Sequence, residues 1–169
     1  MSMAVKQLSV FFPAYNEEGN IAATTEKALT VLKKIELSDF EVIIVNDASS
    51  DSTVEVVTGL QEVYGTEVLK LISHQSNKGY GGALITGFDA AQHEYVFFSD
   101  ADLQFDFEEL ALVVEHTPEY DVVIGYRHNR QDPLPRIAFA KGWNILNRIL
   151  FGLHVKDIDC AFKLIKRTA

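Results

Sequence analysis

The chain has 169 residues, of which 47% are apolar and 23% charged, values that suit one folded domain with a substantial core and exclude disorder. Its net charge of −9 argues against a general nucleic-acid binder, which needs a basic face for phosphate contacts. The single Cys160 excludes a disulfide framework and fits a reducing cytoplasm.

Taken in chain order, the first apolar run covers 8–12 and reads as a strand. It is too short, and too soon interrupted by Pro13, for a signal peptide. Pro13-Ala-Tyr-Asn-Glu-Glu-Gly19 follows it directly, and 20–34 then reads as a helix. A second strand over 40–45 leads into Asn46-Asp-Ala-Ser-Ser-Asp-Ser-Thr53 and a helix over 53–64, with Ser52 and Glu55 spaced as a capping box. A third strand over 67–72 precedes the glycine-rich Asn77-Lys-Gly-Tyr-Gly-Gly-Ala83 and a helix over 81–92. That glycine run matches neither the phosphate-loop pattern nor a well-placed dinucleotide fingerprint. The fourth strand, 95–99, ends in Asp100-Ala-Asp-Leu-Gln104, after which 107–115 reads as helix and 122–125 as a fifth strand. Strands alternating with helices predict an α/β fold, a mostly parallel sheet with helices on both faces.

The last part differs in charge. Residues 1–126 hold six Lys/Arg and 21 Asp/Glu, whereas 127–169 hold nine and three. Such a basic segment suits an anionic partner, phosphate or a membrane surface, or is simply a solvated basic helix. Within it, 136–153 reads as an amphipathic helix with Phe139, Trp143 and Ile149 among its apolar members. That helix fits a membrane surface, core packing or a dimer contact. No apolar run is long enough to span a bilayer, and the chain reads as a soluble domain.

In an open α/β sheet ligands bind outside the carboxyl ends of the strands. Three predicted strand ends carry acidic or amide groups there, and Asp100 with Asp102 is the sharpest pair. Two carboxylates so close repel unless a cation lies between them, and Mg2+ or Mn2+ takes oxygen ligands shared with substrate phosphates. The five histidines are scattered without zinc spacing and read as surface or loop residues.

Together, Phe12-Pro-Ala-Tyr-Asn-Glu-Glu18, Val45-Asn-Asp-Ala-Ser-Ser-Asp-Ser-Thr53, Asn77-Lys-Gly-Tyr-Gly-Gly82 and Ser99-Asp-Ala-Asp-Leu-Gln104 resemble family 2 glycosyltransferases of the GT-A (Rossmann-like) fold. Gly125-Tyr-Arg127 and Asp157-Ile-Asp-Cys-Ala-Phe-Lys163 are similar to the branch that glycosylates polyprenyl phosphates, which includes dolichyl-phosphate mannosyltransferases. The resemblance implies a metal-dependent, inverting transfer of a sugar from a UDP- or GDP-linked donor to a polyprenyl phosphate. It implies a nucleotide pocket of Pro13, Tyr15, Glu17, Asp47 and Lys78, with Asp47 near the base. Asp100 would lie by ribose and metal, and Asp102 with Gln104 would hold Mg2+ or Mn2+. Arg127 and Lys141 would receive the acceptor phosphate, and Arg136 joins them on charge and position alone.

Asp159 and Ala161 depart from the branch, which has a small polar residue and a glycine there. Relatives also continue past the late motif, so the expectation is a single catalytic domain, 1–169, lacking a C-terminal membrane-associated extension and working peripherally at the cytoplasmic face of a membrane. Two other functions fit the residues. A hydroxyl acceptor would need a base, for which Asp157 and Asp159 are the candidates. A nucleotide-sugar-binding module without turnover is the other.

Overall fold

The computed structural model describes residues 5–117, 119–126, 134–153 and 155–169, the side chains of 134–138, 140 and 141 excepted. Among these residues one sheet is built from β1 (Gln7–Ala14), β2 (Asp39–Asn46), β3 (Leu69–Ser73), β4 (Tyr95–Phe98), β5 (Val122–Ile124) and β6 (Lys163–Lys166). Its order is β3-β2-β1-β4-β6-β5. The first four strands are parallel, and β6 runs antiparallel between β4 and β5. The helices are α1 (Ile21–Lys34), α2 (Thr53–Tyr64), α3 (Gly79–Ala90), α4 (Leu110–Glu115) and α5 (Leu134–Phe151).

Successive strand residues point to opposite faces, and both faces of the centre are covered. Leu8, Val10 and Phe12 join Val42, Ile44 and Phe97 in the larger core, packed by α1, α2 and α4. Phe11, Ile43, Val45, Val96 and Phe98 form the second core under α3. Helix α3 sits very close to the sheet: a Cβ on Gly87 would lie 2.3 Å from Cδ2 of Phe11. Phe11 also stacks on Phe98, their centroids 5.4 Å apart.

At the far end of the sheet a polar knot closes the second core. Ser9 Oγ and Lys70 Nζ donate to the two oxygens of buried Glu41, at 2.5 and 2.6 Å. Gln92 N adds a bond to Oε1 of Glu41 at 2.7 Å. His93 N donates to Ser9 Oγ at 3.0 Å. These bonds take the chain out of helix, which is why α3 ends at Ala90 and not at 92.

Several local expectations are corrected. Sequence patterning misses β6, a four-residue strand in which only Leu164 is fully buried. The stretch 107–115 begins as a 3-10 turn, Phe107–Glu109, capped by Asp106, before α4. The capping box at Ser52 does not form: Asp51 Oδ1 accepts from Thr53 N at 3.1 Å, and Ser52 N donates to Glu18 Oε2 at 2.8 Å. Asn144 on α5 binds the late segment at both ends of its amide. Its Nδ2 donates to Lys156 O at 3.0 Å, and its Oδ1 accepts from Ile158 N at 3.2 Å.

Candidate functional site

The loops after β1 and β2 are tied to each other before they meet anything else. Asn16 N donates to Ser49 Oγ, Glu17 N to Thr53 Oγ1 and Glu18 N to Asp51 Oδ2, at 2.9, 2.9 and 3.0 Å. Ser50 N returns a bond to Asn16 Oδ1 at 2.8 Å. Much of the acidic and hydroxyl content that reads as rim chemistry therefore latches backbone. Burial pushes the Asp51 carboxyl up, but the bonds from Thr53 and Glu18 outweigh it and hold the group below its ordinary range. Asn16, Ala48 and Leu103, one in each of the three rim loops, have φ of 56°, 60° and 61°. A side chain in that left-handed region costs about 1–2 kcal/mol, and such strain clusters at working sites.

These loops frame a cleft of about 410 Å³ at the carboxyl ends of β1, β2 and β4. Pro13, Tyr15, Glu17, Asp47, Asp100 and Asp102 all line it, so six of the expected residues are brought together. Lys78 contributes its main chain: its N–H donates to Asp47 Oδ1 at 2.8 Å, while its side chain is exposed. Gln104 lies elsewhere. It lines a neighbouring hollow of about 650 Å³ between α1 and the 103–108 loop. Its N–H donates to Asp102 Oδ1 at 3.2 Å, folding the loop back on the carboxylate. Arg127 lies outside the described residues, and Arg136 and Lys141 sit on α5 with side chains outside the description.

Two residues of the site carry no sequence signal. His74, expected on the surface, is buried just past β3. Its Nδ1 donates to Asp47 Oδ1 at 2.6 Å, and its Nε2 meets Thr86 Oγ1 of α3 at 2.8 Å. Burial pushes the Asp47 carboxyl up, but bonds from Lys78 N, His74 and Gly79 N hold it below the ordinary carboxylate range. The second is Tyr80, whose hydroxyl donates to Asp100 Oδ1 at 2.9 Å from the first turn of α3. Its phenol is pushed far up, first by burial and then by the negative charge of Asp100 and Asp102.

That phenol registers the field of both carboxylates, the donor set a hard divalent cation needs. Among the described residues no group of three or more His, Cys, Asp or Glu could enclose a metal alone. Two carboxylates completed by substrate phosphate oxygens therefore fit Mg2+ or Mn2+ better than a closed protein cage. Fold and cleft together are those of the GT-A glycosyltransferase class.

The comparisons agree. Residues 9–169 match the family model "Glycosyl transferase family 2", and the chain belongs to that family. It is 34% identical over 166 residues to undecaprenyl-phosphate 4-deoxy-4-formamido-L-arabinose transferase of Pectobacterium atrosepticum, covering 96% of this chain and 50% of that protein. It is 31% identical to dolichyl-phosphate beta-glucosyltransferase of Drosophila melanogaster, covering 96% and 55%. The chain thus spans about half the length of these relatives. A mannosyltransferase of Pyrobaculum calidifontis in complex with GDP-Man and Mn2+ is 27% identical with a TM-score of 0.58, over 72% of this chain and 35% of that one. The fold is also that of glucosyl-3-phosphoglycerate synthase from Mycobacterium tuberculosis in complex with UDP, 18% identical with a TM-score of 0.72, over 96% and 57%.

Proposed function

We propose that the chain is the catalytic part of a metal-dependent, inverting glycosyltransferase that moves a sugar from a nucleoside-diphosphate donor to a polyprenyl phosphate. The observation that carries this is the convergence of Asp47, Asp100 and Asp102 in one cleft at the strand ends. Both similar relatives named above take a polyprenyl phosphate acceptor by name, which supports the same class here.

Each residue has a defined task in this mechanism. Tyr15 and Glu17 wall the nucleotide end, and Asp47 meets the base. Asp100 and Asp102 would hold a divalent ion, with Asp100 kept in place by Tyr80. When bound, that ion neutralises charge building on the departing diphosphate. The acceptor brings its own nucleophile, since a phosphate monoester has a second pKa near ~6 and is mostly dianionic at neutral pH. No protein base is then required, and Arg127, Lys141 and Arg136 serve to position the dianion by charge-assisted hydrogen bonds.

Helix α5 is proposed as the element that meets the membrane surface. Phe139, Trp143, Ile145, Ile149, Leu150 and Phe151 on it are all at least half exposed. Among the described residues no helix is long and apolar enough to cross a membrane. Asp102→Ala tests the function: sugar transfer to undecaprenyl phosphate at saturating Mn2+ is expected to fall at least about 100-fold, as for loss of a main electrostatic contributor. Unchanged turnover in that variant would refute it.

A further inference from the structure

Resting on the polyprenyl phosphate acceptor proposed above, we propose that Lys156 is a further acceptor-binding residue, a cation fixed over Tyr126 that receives a phosphate oxygen. Its Nζ sits 4.4 Å from the centroid of the Tyr126 ring. Its main chain is tied to α5, the Lys156 carbonyl accepting from Asn144 Nδ2 at 3.0 Å. Both members of the cation–ring pair are exposed, Tyr126 by half. Among the described residues no carboxylate forms an ion pair with Lys156, and the adjacent Asp157 is buried. An ammonium carries three donors, and a ring face engages only one side of it. The pair therefore holds a charge in place while leaving it donors for an anion.

Strand register puts this cation beside the cleft. Strands β4 and β5 are both antiparallel to β6 and so run the same way. Phe98 of β4 and Ile124 of β5 pair with the same residue, Lys163, and lie on one rung. Asp100 and Tyr126 each stand two residues beyond that rung, on the same rim. Two strand spacings, about 10 Å, separate the places where they leave the sheet.

That separation suits the reaction. The attacking phosphate must approach the anomeric carbon from the side away from the departing diphosphate, with the sugar between them. A cation further along the rim than Asp100 and Asp102 meets that need. In the transfer an acceptor oxygen bonds to the anomeric carbon as the bond to the diphosphate oxygen breaks, and the electron pair leaves with the nucleoside diphosphate. Lys156 keeps its protons throughout and reduces the repulsion between two phosphate groups brought close together. A hydroxyl acceptor carries no charge for it to meet.

Calorimetric titration of the chain with farnesyl phosphate and with farnesol, free of vesicles, tests this. The phosphate is expected to bind more tightly than the alcohol. Lys156→Gln should weaken the phosphate about fivefold, as for one exposed charge pair, and leave farnesol unchanged. Lys156→Arg should restore the affinity to within about twofold, since the charge-assisted contact is kept. Tyr126→Phe keeps the ring and should bind as the parent does, whereas Tyr126→Leu should lose about threefold. Unchanged farnesyl phosphate affinity in Lys156→Gln overturns the proposal and leaves the acceptor class standing. Weaker flotation of that variant on phosphatidylglycerol vesicles, with farnesyl phosphate affinity unchanged, also overturns it and assigns the cation to a lipid headgroup. Parallel loss of farnesol binding would make Lys156 structural, which overturns it too. Farnesyl phosphate bound no more tightly than farnesol by the unaltered chain overturns the phosphate acceptor itself, and the role of Lys156 with it.

Discussion

Tyr80 and His74 each act on the cleft through one carboxylate, Asp100 and Asp47 respectively. Tyr80→Phe deletes the 2.9 Å bond to Asp100 Oδ1 and keeps the ring. A hydrogen bond to a charged group is worth about 1.5–3 kcal/mol, so kcat/KM should drop roughly 10- to 100-fold. Thermal stability should hold, because the ring is kept and the residue as a whole is half exposed. A melting temperature that falls with activity would show Tyr80 to be structural only. Neither residue could be found from the sequence. A lone histidine in a loop and a tyrosine in a glycine run have no spacing that ties them to a carboxylate 27 or 20 residues away. The acidic residues are legible because they recur just past strand ends, although Asp51 and Glu18 in the same loops hold backbone N–H groups.

Among the secondary-structure elements, α3 packs very close to the sheet at Gly87. Gly87→Ala would gain about 0.5–1 kcal/mol in helix propensity and lose about 1–3 kcal/mol to overpacking against Phe11. Packing wins, since the added carbon would sit 2.3 Å from a ring held by Phe88 and Phe98. A net loss of about 1–2 kcal/mol in urea unfolding is expected, and a variant as stable as the parent would show that α3 can lift off the sheet. The parallel strands were legible because their apolar runs are long and evenly spaced by helices. The strand β6 was not, because its partners β4 and β5 lie far away in sequence and its alternation spans four residues. Helix α5 was legible as amphipathic, yet its exposed apolar side chains show that periodicity does not tell which neighbour a face meets. Flotation with anionic vesicles should fall on Phe139→Ser with Ile149→Ser if that neighbour is lipid; unchanged flotation would remove lipid from consideration.

Among the described residues folding favours the ionised forms of Glu41 at one end of the sheet and of Asp47 and Asp51 at the other. Burial raises Glu41, but Lys70, Ser9 and Gln92 N together hold it below its ordinary range, as Asp47 is held by its own partners. A carboxyl depressed in the folded state stabilises fully above its unfolded pKa, near about 4, and that contribution is lost as pH falls through the lower folded value. Melting temperature should therefore be flat above about pH 5 and fall steeply below about pH 4. Glu41→Gln should start lower and lose less over the same interval. A parallel slope in that variant would place the acid sensitivity elsewhere.

The amide of Asn144 has a mechanical meaning. It is a rung fastened at one end to α5 and by two bonds to the main chain at 156 and 158, on either side of Asp157. Such a rung transmits displacement and leaves little slack. The segment it grips runs on into β6, whose Lys163 pairs with Phe98 one step before Ser99 and Asp100. Whatever immobilises α5 from outside therefore sets the level of one bank of the cleft, and a helix adrift in solution would let that bank float.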